Sequence, residues 1–125
     1  MKRLFALLVA LVGLVAADAS ARQVVKPGIE VLQERGFEGL IGKKVGLVTN
    51  PSGVDRYLNS TVDILYNAPG VELVALYGPE HGVRGDVYAG DKVADTKDAA
   101  TGLPVYSLYG STRKPTPQML EGVDV

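Results

Sequence analysis

Glu80, His81 and Arg84 fall within one eight-residue stretch, Gly78-Pro79-Glu80-His81-Gly82-Val83-Arg84-Gly85. Three glycines allow unusual backbone angles and close approach of a ligand, and Pro79 stiffens the entry. A glutamate in such a turn is suited to proton transfer once its surroundings bring its carboxyl toward neutral pH. His81 is the only histidine in the chain and stands beside that glutamate. Arg84 can fork onto a carboxylate of a ligand. The same residue types also suit a plain connection in which Glu80 pairs with Arg84 and His81 bonds to backbone. The glycine frame, and a place directly after the strongest strand candidate, Val71–Tyr77, favour a working loop.

Other polar residues are weaker candidates. Asn50 and Ser52 occupy a rigid Asn50-Pro51-Ser52-Gly53 turn, where ligand contact and self-satisfaction by side chains are equally consistent readings. Tyr109, Arg113 and Lys114 lie on a later loop, where a solvated surface is the default for the two cations. Gly85 to Lys92 superficially resembles a phosphate loop, but Asp91 precedes the lysine and would repel phosphate. No G-x-G-x-x-G follows the first apolar run, and no serine lies in a G-x-S-x-G elbow. A metal site would need Asp86 and Asp91 to join Glu80 and His81, so neither a metal nor a cofactor is expected.

The elements that must position these residues follow from hydrophobic patterning. Lys44–Val48, Val71–Tyr77 and Pro104–Leu108 read as strands, and Val123 onward reads as the opening of a fourth. Near-continuous apolar runs of this length suit a parallel sheet covered on both faces. Pro27 starts a helix with Ile29 and Leu32 on one side and Gly36 as its stop. Asn59 or Ser60 caps a second helix bearing Val62, Leu65 and Tyr66, and Thr116-Pro117 starts a third with Met119 and Leu120 turned inward. The Asn59-Ser60-Thr61 sequon is read as that cap. This order predicts an α/β layered fold of βαβ type. Two strands end in Leu-Tyr-Gly, at Gly78 and Gly110, where glycine lets the chain turn sharply. These two loops and Thr49–Gly53 then converge on one rim, the carboxyl edge where open α/β sheets bind ligands. Lys92–Thr101, polar and charged, reads as a solvated excursion.

Composition adds the compartment. Met1-Lys2-Arg3, the apolar run Leu4–Ala17 and the small residues Ala19-Ser20-Ala21 have the order of a cleavable secretory signal, residues 1–21. The apolar run falls short of the roughly 20 residues that span a bilayer. The expected mature part, from residue 22 to 125, is periplasmic or secreted and free of the membrane. Cysteine is absent, which excludes disulfides and a lipidated cysteine. Signal removal takes the formal charge from −1 to −2, with charges dispersed, so no nucleic-acid partner is expected. Because the chain stops on strand-like residues, it is expected to be incomplete at its C-terminal end.

Taken together these segments resemble the NamZ family of exo-β-N-acetylmuramidases, peptidoglycan hydrolases formerly a domain of unknown function. The resemblance is carried by Gly28–Leu32, Val45–Asp55, Leu76–Gly85, Gly102–Gly110 and Arg113–Thr116, in order and with ordinary spacing. It implies a Rossmann-like N-terminal catalytic domain followed by a smaller domain, with the active site in the cleft. It implies removal of terminal N-acetylmuramic acid from peptidoglycan-derived saccharides, with Glu80 as catalytic carboxylate and His81 beside it. Arg84 is assigned by charge, not by the resemblance, to the lactyl carboxylate of the sugar, with Asn50 and Ser52 as further binding residues. Glycosidases commonly use two carboxylates, and Asp86 and Asp55 are weak seconds; a group beyond Val125 or the substrate's own 2-acetamido group would otherwise serve. An exported non-catalytic sugar-binding module and a metal-dependent hydrolase are the rival readings. The fragment alone is expected to be inactive.

Overall fold

A computed structural model of the chain describes residues 25–85 and 96–125. The expected signal segment, and Asp86 and Asp91, lie outside the described residues. The element order is α1 (Gly28–Glu34), β1 (Lys44–Val48), α2 (Thr61–Tyr66), β2 (Glu72–Gly78), β3 (Thr96–Lys97) and β4 (Pro104–Ser107).

The strands form one sheet in the order β1-β2-β4-β3. β2 pairs in parallel with β1 on one side and β4 on the other, while β3 runs antiparallel to β4. This is the α/β, mostly parallel, Rossmann-like architecture expected. Register within the sheet is set partly by a missing side chain. The β1–β2 register shifts between Val45 and Gly46. A Cβ on Gly46 would come within 2.9 Å of the Tyr77 ring and 3.0 Å of Val123, so glycine makes room for both. Tyr77 in turn stacks on its cross-strand partner Tyr106, centroids 5.6 Å apart, and donates its hydroxyl to the Met119 carbonyl at 2.6 Å.

The core gathers Val45, Leu73, Leu76 and Val105 from the sheet, Val62 and Leu65 from α2, and Phe37, Ala68 and Val83 from connections. α1 contributes only partly buried Ile29 and Leu32, consistent with a helix that has no fully buried residue. α2 is six residues long, too short to hold itself by propensity. It depends on burial of Val62 and Leu65 and on Ser60, whose side chain accepts from the Val62 amide at 3.2 Å. Tyr66, expected on its inner side, is exposed.

Three expectations change. The third helix is a turn: the Leu120 amide reaches the carbonyls of Thr116 and Pro117, both at 3.2 Å, and Leu120 is exposed. The segment read as a solvated excursion contains β3 and the buried Asp98. Gly78 does not make the sharp turn after β2, being the last residue of that strand; the left-handed positions come later, at His81 and Gly82. The expected fourth strand meets β1. The Gly46 amide donates to the Val125 carbonyl at 2.8 Å and the Val125 amide to the Lys44 carbonyl at 3.3 Å, the pattern of a parallel pair.

Candidate active site

Parallel pairing brings the ends of β1, β2 and β4 to one edge, and hydrogen bonds carry the ladder past the strands. The Thr49 amide donates to the Tyr77 carbonyl at 3.0 Å and the Leu108 amide to the Gly78 carbonyl at 2.9 Å. The three polar loops that begin there are thus held side by side, where open α/β sheets place their sites.

The middle loop is held at three points. Val83 turns inward and is buried in the core, a contribution of about 1.5–3 kcal/mol for a side chain of this type. Gly85, at φ +81°, lies against Pro51 of the first loop; a Cβ there would meet the proline ring at 3.1 Å. Arg84 makes the third attachment. Between these anchors and β2, Glu80 and His81 are left outward, their side chains 54% and 43% exposed. Glu80 Oε1 and His81 Nε2 stand 3.8 Å apart, beyond hydrogen-bond range but within reach of ion pairing for a protonated imidazole. His81 adopts φ +59°, a left-handed conformation unusual outside glycine, and Gly82 continues it at φ +71°. Consecutive left-handed residues fold the loop back on its strand, bringing Gly82 to within 3.5 Å of a Cβ built on Gly78. Strain of this kind concentrates at functional sites.

Arg84, expected to meet a ligand carboxylate, meets two carboxylates of the chain itself. Its Nε and Nη2 donate to Asp98 at 2.5 and 2.9 Å, and its Nη1 and Nη2 donate to Asp63 at 3.0 and 2.7 Å. Asp98 is also held by Thr101, from the amide at 3.0 Å and the hydroxyl at 2.7 Å. These bonds, those from Arg84 foremost, outweigh the opposing effect of burial and hold the Asp98 carboxyl down at about 2. The Arg84 guanidinium is raised by Asp98 first and Asp63 second.

Asn50 and Ser52 form the self-satisfied turn. Asn50 Oδ1 accepts from the Ser52 amide at 3.1 Å and hydroxyl at 2.7 Å, and the Gly53 amide closes on the Asn50 carbonyl at 2.9 Å. They border the site through Pro51, with Ser52 exposed. Asp55, weighed as a second carboxylate, is buried in its own loop. It accepts from the amides of Tyr57 and Asn59 and from the Asn59 side chain, each at 2.8 Å. Burial alone would raise its carboxyl, but the hydrogen bonds from Asn59 and Tyr57 hold it below the usual range. Arg56 of that loop is fastened to Glu30 of α1 by its amide and guanidinium. Tyr109, Arg113 and Lys114 stand exposed on the third loop.

An apolar groove of about 490 Å³ runs between α1 and β1, lined by Ile29, Leu32, Val45, Leu65 and Val125 and touching Ser52. Glu80 and His81 do not line it, and its aliphatic walls offer little to a hydroxyl-rich ligand. Among the described residues no three His, Asp or Glu side chains are grouped to hold a metal ion. No described helix is long and apolar enough to cross a membrane. Sequence reasoning missed Asp63, Asp98 and Val83, the residues that hold the loop; Val83 alone carried a local signal, as the one apolar residue inside it.

Comparison with known proteins gives the family and the fold. The family described as exo-beta-N-acetylmuramidase NamZ, N-terminal, matches residues 45–125. The peptidoglycan β-N-acetylmuramidase NamZ of Bacillus subtilis (strain 168) is 56% identical over 101 residues, covering 81% of this chain and 24% of that protein. Two crystal structures of DUF1343 family proteins from Bacteroides fragilis are similar. One has a TM-score of 0.71 at 65% identity, over 79% of this chain and 24% of its own. The other has a TM-score of 0.58 at 29% identity, over 78% and 23%. The chain thus spans about a quarter of the length of these relatives.

Proposed function

The chain belongs to the NamZ family of exo-β-N-acetylmuramidases, matched over the N-terminal portion, and on that premise we propose that the protein is an exo-acting glycoside hydrolase. Its substrate is peptidoglycan-derived saccharide, and its product is the terminal N-acetylmuramic acid. The site is the loop after β2, with Glu80 and His81 as the catalytic residues. The observation that carries this reading is the local geometry. A core-anchored turn at the carboxyl end of the central strand pair presents an accessible carboxylate and imidazole 3.8 Å apart, on backbone held left-handed at His81.

Glu80 protonates the glycosidic oxygen as the bond to the leaving sugar breaks, and His81, its neighbour, sets the local charge. Asp55, Asp63 and Asp98 are each committed to partners within the chain. The second group that glycoside hydrolysis requires is therefore the substrate's own 2-acetamido oxygen or a residue outside those described. Asn50 and Ser52 lie on the neighbouring loop, where they can contact the sugar. The basic, apolar and small-residue order of residues 1–21 directs the protein to the periplasm or beyond the cell.

Incubating the full-length protein with a chromogenic muramic acid glycoside tests the reading. Release of chromophore by the native protein is expected, with a loss of about 10²-fold or more in Glu80→Gln. A Glu80→Gln variant that turns over at near-normal rate would overturn it, as would binding without release by the native protein.

A further inference from the structure

Arg84 lies four residues beyond Glu80 and closes the loop that carries it. Both edges of its guanidinium are occupied, one by Asp98 and the other by Asp63. Each partner belongs to a different part of the fold: Asp63 to the first turn of α2, Asp98 to the segment between β3 and β4. The Asp98 side chain is 3% exposed and its remaining bonds come from Thr101, whereas the Asp63 side chain is 48% exposed. Among the described residues, no unpaired buried side-chain N or O atom is left over.

An ion pair of this kind is poor evidence for stability, since desolvation consumes much of the Coulombic gain. What two bidentate pairs on one planar group supply is registry, because the fork fixes distance and orientation together. Here the registry is that of the turn. Its other attachments, Val83 in the core and Gly85 against Pro51, are packing contacts that carry no directional bond.

We propose that Arg84 is a positioning residue for the site: its double clamp on Asp98 and Asp63 fixes the turn that presents Glu80 and His81. The inference rests on the reading of that turn as the catalytic site. Loosening the clamp lowers turnover while leaving substrate binding in place, since misplacement by an ångström can cost about a hundredfold in rate.

Steady-state kinetics of the full-length protein on the chromogenic muramic acid glycoside separate the possibilities. Asp98→Asn and Arg84→Lys are each expected to lower kcat by about tenfold or more with KM within about twofold, in protein whose folding is verified by circular dichroism. Lysine keeps the charge but loses the fork, so its failure to restore rate is part of the expectation. The double variant should be little worse than the worse single one, because both break one unit.

Unchanged kcat in Asp98→Asn would overturn the proposal. So would a loss in Arg84→Lys confined to KM, which would put Arg84 on the substrate. If Asp98→Asn does not fold, Asp63→Asn carries the test; a fall in kcat at constant KM supports the clamp and an unchanged kcat overturns it. Glu80→Gln, run alongside, distinguishes the two levels. An inactive Glu80→Gln with wild-type kcat in the clamp variants defeats only the clamp, whereas an active Glu80→Gln defeats the reading of the site as well.

Discussion

At the scale of single residues, the site is made by backbone conformation as much as by side chains. His81 at φ +59° and Gly82 at φ +71° reverse the chain immediately after Glu80, so that the carboxylate and imidazole face outward while Val83 faces in. Gly85 then joins this loop to its neighbour, and two effects make it sensitive to substitution. Its φ of +81° costs any L-residue roughly 1–2 kcal/mol, and a Cβ would meet the Pro51 ring at 3.1 Å, where a ring has little freedom to yield. Gly110 shares the first effect, at φ +93°, but a Cβ there has no neighbour within 4 Å. Gly85→Ala should therefore lower the urea midpoint of the full-length protein more than Gly110→Ala does. Gly110→Ala should cost about 1 kcal/mol and Gly85→Ala about twice that. Equal losses would mean that the Pro51 contact imposes nothing.

At the scale of elements, α2 links fold to site, because it fills the β1–β2 crossover with Val62 and Leu65 and brings Asp63 to Arg84. Its N-terminus rests on one side-chain bond, from the Val62 amide to Ser60. Ser60→Ala should cost about 1 kcal/mol in chemical denaturation; a change within error would show that burial alone holds the helix. Asn59, the alternative cap, bonds Asp55 instead, so only one of the two candidates serves the helix. What was legible in the sequence were elements with strong local patterning. Lys44–Val48 forms as read, the β2 reading is shifted by one residue at each end, and the β4 reading runs one residue too far. The loop Gly78–Gly85 was legible as a site candidate from its composition. Its supports were not. Asp98 sits in the run Lys92–Thr101, whose polarity signals solvent, and its burial is supported by Arg84, 14 residues earlier, together with Thr101. Pairing across such a separation leaves no periodicity to read. β3 is invisible for a related reason: two residues, both exposed, carry no alternation. The turn at Thr116–Glu121 had helical signals but makes only one turn's worth of bonds, with Met119 engaged instead by the Tyr77 hydroxyl.

At the scale of the whole molecule, several carboxylates share one electrostatic bias that should govern its response to acid. Asp98, Asp55 and Glu30 are all held below their ordinary values by hydrogen bonds present only in the fold. A carboxyl whose folded value is depressed binds its proton more readily in the unfolded chain, so acid favours unfolding. For Asp98, at about 2 against an ordinary 3.8, the contribution is complete above about pH 4, declines as the pH falls, and is gone below about pH 2. The gap corresponds to about 2 kcal/mol for this nearly inaccessible carboxyl. Protonation would also release Arg84 on one edge, so the loop carrying Glu80 and His81 should loosen in the same range. Urea midpoints of the full-length protein measured between pH 7 and pH 2 should fall most steeply below pH 4. In Asp98→Asn the midpoint should start lower at pH 7 and the slope between pH 4 and pH 2 should be shallower, because one of the groups that takes up a proton on unfolding is gone. Parallel curves for native protein and variant would show that acid acts elsewhere and that Asp98 bears no special share of the fold's pH dependence.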